Sequence, residues 1–241
     1  MAQASRLRIR IAAIFASCVA DPQRNTALRI MSYRNLLALL GIVLGCDFLI
    51  LAIAHWRSAH RAFGKRPDGS LPVWSWLLFF PLLIYTLAVW HLLRLVTREP
   101  AQSSITKDLV VGRRLLASEF NDEFDNYIDL TAEFSEPPRI RRSPAYRSFP
   151  ILDGAAPTPE ALWQAVAGLK QGRTYVHCAQ GHGRTGLFAL AVLLDSGAVR
   201  TIEDGLRMLT AIRPGIRLNR AQYRCIQDYA ENACRSAEAK T

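Results

Sequence analysis

Twelve consecutive residues carry the chemistry of this chain: Tyr175-Val176-His177-Cys178-Ala179-Gln180-Gly181-His182-Gly183-Arg184-Thr185-Gly186. A cysteine and an arginine bracket five residues, two of them glycine. A short β-branched and aromatic run comes before, and the apolar stretch from Leu187 to Leu194 comes after. That order predicts a strand, a tight loop and a buried helix. Such a loop turns successive backbone N–H groups inward as an anion-binding nest, with the positive end of the helix behind it. Arg184 adds a planar fork that grips two oxygens of a phosphate at once. Cys178 falls at the floor of the cradle. Helix N-termini and cationic neighbours lower a cysteine pKa from about 8.5 to roughly 3.5–7.5. One set of dipoles is therefore expected to bind the phosphate and to favour the thiolate.

These residues resemble the signature loop of the cysteine-dependent protein tyrosine phosphatase superfamily, His-Cys-x5-Arg-Ser/Thr-Gly. His177, Cys178, Gly181, Arg184, Thr185 and Gly186 all fall in place. The surrounding chain looks most like the compact dual-specificity branch. The resemblance implies an α/β fold, a central sheet flanked by helices, and hydrolysis of phosphomonoesters through a phosphocysteine. Ala179, Gln180, Gly181, His182, Gly183 and Arg184 would hold the phosphate. His177 would position the Cys178 backbone, and Thr185 would donate to the sulfur as it leaves. The stretch Phe149 to Pro157 resembles the family's acid loop, which makes Asp153 the general acid, with Asp125 and Asp129 as lesser candidates. Gln222 stands where some tyrosine phosphatases place a water-orienting glutamine. No metal or other cofactor is required.

The substrate is less sharply indicated. The loop has no lysine, which favours a phosphoprotein over a lipid, and Arg139, Arg141, Arg142 and Arg147 suit an acidic partner. A phospholipid or inositol phosphate at a membrane surface is the alternative. A phospho-binding module with weak catalysis is the reading from another class.

The elements that must position this loop occupy the second half of the 241 residues, and the charge is unevenly spread. Of the net +10, residues 1–99 carry 12 Lys/Arg against 4 Asp/Glu, and residues 100–241 carry 18 against 16. A basic apolar half joined to a near-neutral half suggests a membrane segment joined to a soluble domain, with no nucleic-acid partner expected. The five cysteines are odd in number and form no Cys-x-x-Cys pair, which fits a reducing compartment.

Two apolar spans, about 36–56 and 71–93, each reach the roughly 20 residues needed to cross a bilayer. Asp47 is the only charge in the first, and tryptophans and a tyrosine lie near the ends of the second. The expectation is a multi-pass protein of the cell membrane with its catalytic domain in the cytoplasm, where an exposed thiolate survives best. The apolar run Ile11 to Ala20, preceded by Arg6, Arg8 and Arg10, is also signal-like in length and flank. The organisation expected is a basic extension over 1–33, a membrane segment over 34–96 with two transmembrane helices, a linker over 97–104, a catalytic domain over 105–235 and a tail over 236–241. Within the domain, strands are expected at Asp108 to Gly112, Tyr127 to Leu130 and Thr174 to His177. Helices are expected from Thr158, over Thr201 to Ile212 and over Arg220 to Ala233.

Overall fold

A computed structural model of the chain describes residues 22–56 and 62–238. Residues 1–21 of the expected basic extension, with the signal-like run at Ile11 to Ala20, lie outside the described residues. The chain divides into two compact units, residues 1–46 and 47–241. What is described of the first is helical, part of α1 (Pro22–Trp56), with Leu36, Leu37, Leu39 and Ile42 exposed. The stretch Tyr33–Ile50 of α1 is long and apolar enough to cross a membrane, and among the described residues it is the one such helix.

The second unit is built on a five-stranded sheet. In chain order its strands are β1 (Gln102–Ser104), β2 (Leu109–Arg113), β3 (Asn126–Thr131), β4 (Tyr146–Ile151) and β5 (Thr174–Cys178). Their order across the sheet is β1-β2-β5-β3-β4. Only β1 runs antiparallel; β2, β5, β3 and β4 are mutually parallel. Every residue of β2, β3 and β5 is buried. Strands buried on both faces read as continuous runs rather than alternations, and Tyr175-Val176 and Leu109-Val110-Val111 do so. Pro150 sits in β4 because an edge strand tolerates its missing N–H.

Helices supply the layers. They are α4 (Pro138–Arg141), α5 (Pro159–Ala167), α6 (Gly183–Asp195), α7 (Ile202–Ile212) and α8 (Arg220–Glu238). Thr158 and Thr201 cap α5 and α7, accepting from Ala161 N and Asp204 N. Helix α6 is apolar all round because it is enclosed: Leu187 to Ala191 and Leu193 are buried against the sheet and the helices around it. The expected strands and helices are all present, with ends shifted by a residue or a few.

The second expected membrane crossing is corrected. Leu71 to Leu93 is not one long helix: the backbone breaks at Phe79 (φ −107°, ψ 21°), leaving α2 (Val73–Leu78, six residues) and α3 (Phe80–Val96, 17 residues). Seventeen residues rise only about 26 Å, short of the roughly 30 Å hydrocarbon core. The segment before α2 also packs against the sheet. Lys65 is buried against β3, and the Glu136 N–H donates to Gly69 O at 3.2 Å. A crossing over 71–93 would put that segment and the sheet on opposite sides of a membrane. Phe63, Leu71, Phe79, Leu82 and Leu83 instead form one core with Ala132 and Leu152, which follow β3 and β4. Asp47 is buried, and its carboxylate takes the backbone N–H of Leu82 in the first turn of α3.

Residues 97–104, expected as a linker, are built into the sheet region. They contain β1, and the Ala101 carbonyl accepts the Arg113 N–H at 3.0 Å.

Candidate active site

Because four strands are parallel, their carboxyl ends collect on one edge of the sheet, where α/β proteins place their sites. Glu133, Asp153 and Cys178 follow or end β3, β4 and β5 there. The loop leaves β5 at Cys178 and enters α6 at Gly183.

Three consecutive loop carbonyls are held from outside. Ala179 O accepts from the Trp90 indole N–H at 3.0 Å and from the Arg114 N–H at 3.3 Å. Arg213 donates through Nη2 to Gln180 O at 2.8 Å and through Nε to Gly181 O at 2.9 Å. In a trans peptide the carbonyl and the following N–H point in opposite directions. The N–H groups of Gln180, Gly181 and His182 are therefore turned to the concave side. That of Gly181 donates to Cys178 Sγ at 3.3 Å. Gly181 has φ +77°, and a Cβ there would lie 2.3 Å from Gly112 O, so the loop needs glycine at this point.

Arg184 is buried, and its five donors can be accounted for one by one. Nη1 donates to Glu133 Oε2 at 2.9 Å and Ile151 O at 3.0 Å, and Nη2 to Glu133 Oε1 at 2.8 Å. Nε has no partner. What remains is the Nε–Nη2 edge, a two-toothed fork suited to two phosphate oxygens, on which Nε is unpartnered and Nη2 is met by the exposed Asp153 carboxylate. Glu133 thus aims the guanidinium. Burial raises its carboxyl pKa, but the charge of Arg184 and its hydrogen bonds outweigh this and bring it below the ordinary glutamate range.

Asp153 is exposed and its Oδ1 lies 3.1 Å from Arg184 Nη2. Its loop is tied at both following residues. Asn219 Nδ2 donates to Gly154 O at 2.7 Å and Gln222 Nε2 to Ala155 O at 3.2 Å. Gln222 also accepts from Asn219 N, so its amide is committed to the acid loop rather than to a water-orienting role. Cys178, Arg184, Asp153 and Glu133 line one pocket of about 410 Å³, together with Ala179, Gln180, His182 and Gly183.

His177 is fully buried behind the loop, its Nδ1 3.4 Å from Cys178 O. Burial lowers its pKa to about 4, so the ring is neutral near pH 7. It stacks beside Tyr175 and Tyr127 and lies 3.9 Å from Asp129. Asp129 is buried and therefore not the acid. Its carboxylate receives Lys65 Nζ at 2.5 Å and the Tyr146 hydroxyl at 2.7 Å. Asp129, Glu136 and His177 bring possible metal-ligand atoms within 4.8 Å of one another. Lys65 already supplies the positive charge there. Burial pushes the Glu136 carboxyl up to about 7, against the pull of Arg114 at 2.6 Å.

Thr185 is buried with its hydroxyl unpartnered, so the expected donation to the sulfur is not formed here. His182 turns away from the cradle floor and pairs with Glu99 at 2.7 Å. Asp125 binds the Arg173 N–H at 2.8 Å, before β5.

Reading the chain by motif did not find Glu133, Arg213, Trp90 or Asn219. Glu133 lies two residues beyond the buried β3 pattern and Arg213 before a Pro-Gly turn. Nothing in one dimension marks either as facing the loop.

Several solved phosphatases share this fold. Tk-PTP, in a glycine-to-alanine mutant form, is 20% identical with a TM-score of 0.50, over 56% of this chain and 97% of that one. PTPMT1 in complex with PI(5)P is 14% identical with a TM-score of 0.51, over 57% of this chain and 99% of that one. At these identities the likeness shows the fold. No protein-family model matches the chain, and no curated protein matches it.

Proposed function

We propose that the chain is a cysteine-dependent phosphatase that hydrolyses phosphomonoesters through a phosphocysteine, anchored to a membrane by α1. The observation that carries this reading is the meeting in one pocket of Cys178 Sγ, the Gly181 N–H, the Nε–Nη2 edge of Arg184 and the Asp153 carboxylate beside it. The sulfur attacks phosphorus and forms the S–P bond, while the P–O bond to the leaving group breaks. Asp153 gives its proton to the departing oxygen. Water then attacks phosphorus, Asp153 takes a proton from it, and the S–P bond breaks to release phosphate and restore the sulfur. The Nε–Nη2 edge of Arg184 and the inward N–H groups hold the equatorial oxygens in both steps.

The reading covers phosphoproteins and phospholipids alike. The basic residues expected to favour an acidic phosphoprotein are largely occupied within the chain. Arg141 binds Glu136 O and Asp68, Arg139 binds Ala117 O, and Arg147 binds Gly168 O.

The test is phosphate release from para-nitrophenyl phosphate by the full chain in detergent. Cys178→Ser is expected to lower it more than about a thousandfold, with the fold intact by circular dichroism. Equal release by both proteins would sink the reading and leave a phospho-binding module.

A further inference from the structure

Helices α2 and α3 keep many of their most apolar side chains outside. Val73, Leu77 and Leu95 are 74%, 78% and 72% exposed, and Phe80, Ile84, Ala88 and Leu92 continue the stripe at three- to four-residue spacing. A continuous apolar surface of that kind marks a contact site. No carboxylate interrupts residues 73–96. Trp74 and Tyr85 are exposed on the same segment, as suits side chains at a membrane–water boundary.

The neighbouring face of α3 is a wall of the catalytic pocket, through Leu82, Thr86 and Val89. Tyr85 and Leu93 belong to both faces, each lining the pocket and each exposed. The apolar surface therefore adjoins, through Tyr85 and Leu93, the pocket that holds Cys178. Trp90 fixes the geometry, with its indole N–H on the Ala179 carbonyl and its ring beside the Arg114 guanidinium, 5.0 Å from the ring centre.

Building on the phosphatase reading, we propose that α2 and α3 seat in the surface of a lipid bilayer and that the substrate is a lipid phosphomonoester. Its phosphate enters the Cys178 cradle while its apolar body lies along Leu82, Val89 and Leu93 toward the membrane. Continuity selects the bilayer over a protein partner. Within the second unit, Asp47 is tied to Leu82 in the first turn of α3, and Ile50, the last residue of the candidate span, packs on the core that holds Phe79, Leu82 and Leu83.

The test uses the full chain reconstituted in phosphatidylcholine vesicles. Four substrates are compared: dioleoyl phosphatidic acid in the bilayer, glycerol 3-phosphate, a phosphotyrosyl peptide and para-nitrophenyl phosphate. Phosphatidic acid is expected to exceed glycerol 3-phosphate and the peptide at least about a hundredfold in kcat/KM, as apolar binding of a few kcal/mol allows. The double variant Leu77→Glu, Leu95→Glu is expected to lose about tenfold on phosphatidic acid with para-nitrophenyl phosphate turnover unchanged. Neither residue lines the pocket. If para-nitrophenyl phosphate is cleaved and the peptide or glycerol 3-phosphate matches phosphatidic acid, the lipid assignment alone is overturned. Undiminished phosphatidic acid turnover in the double variant overturns the docking surface. No turnover of para-nitrophenyl phosphate removes the phosphatase reading, and this one with it.

Discussion

Lys65→Met separates the present architecture from a two-crossing one. The ammonium sits 2.5 Å from Asp129 Oδ2, 2.7 Å from Thr131 O and 2.9 Å from Thr131 Oγ1, with Lys65 and Asp129 both buried. Methionine fills a similar volume but leaves the Asp129 carboxylate without its cation. Breaking a buried pair in this way costs about 3–5 kcal/mol, against a total stability of roughly 5–15 kcal/mol. With a urea dependence of about 2 kcal/mol per molar, the unfolding midpoint should fall by roughly 1.5–2.5 M. The assay is urea unfolding of the full chain in detergent, followed by tryptophan fluorescence. Adding Asp129→Asn to Lys65→Met should recover part of the loss, because the uncompensated charge is gone. A midpoint for Lys65→Met equal to the parent's would refute the burial of Lys65. The segment before α2 would then lie away from the sheet, as two crossings require.

Glu133→Gln removes the charge that aims Arg184, and kcat/KM on para-nitrophenyl phosphate should drop about 10–100-fold, as loss of positioning does; an unchanged value would mean Arg184 is held without it. Asp153→Asn should slow an alkyl phosphate far more than para-nitrophenyl phosphate, whose leaving group needs little protonation; equal losses on both would remove Asp153 from the proton path. Gly181→Ala forces a Cβ to 2.3 Å from Gly112 O at a positive φ, so activity and melting temperature should fall together. Burial lowers the His177 pKa to about 4 from an ordinary 6.5. The unfolded chain therefore binds the extra proton first, and this stability is whole above about pH 6.5 and lost as pH falls toward 4. The loss is about 3 kcal/mol, and His177→Gln should flatten urea midpoints measured between pH 7 and 4.5.

The loop from Cys178 to Gly186 was legible in the sequence because its chemistry is local. A strand, a glycine-relieved turn and a helix start must follow one another for a nest to form, and residue types at fixed spacing record that. The Thr158 cap was legible for the same reason, since a cap acts within three residues. Tertiary structure alone decided what holds the nest open. Trp90 and Arg213 lie 89 and 32–33 residues from the carbonyls they pull outward, and Glu133 lies 51 from Arg184. Hydropathy also misassigned Leu71 to Leu93. A window average counts apolar residues but cannot see that Lys65 just upstream satisfies a buried carboxylate, or that the backbone breaks at Phe79. Whether an apolar helix crosses a membrane or roofs a pocket depends on where its flanks are fixed, and those attachments exist only in three dimensions.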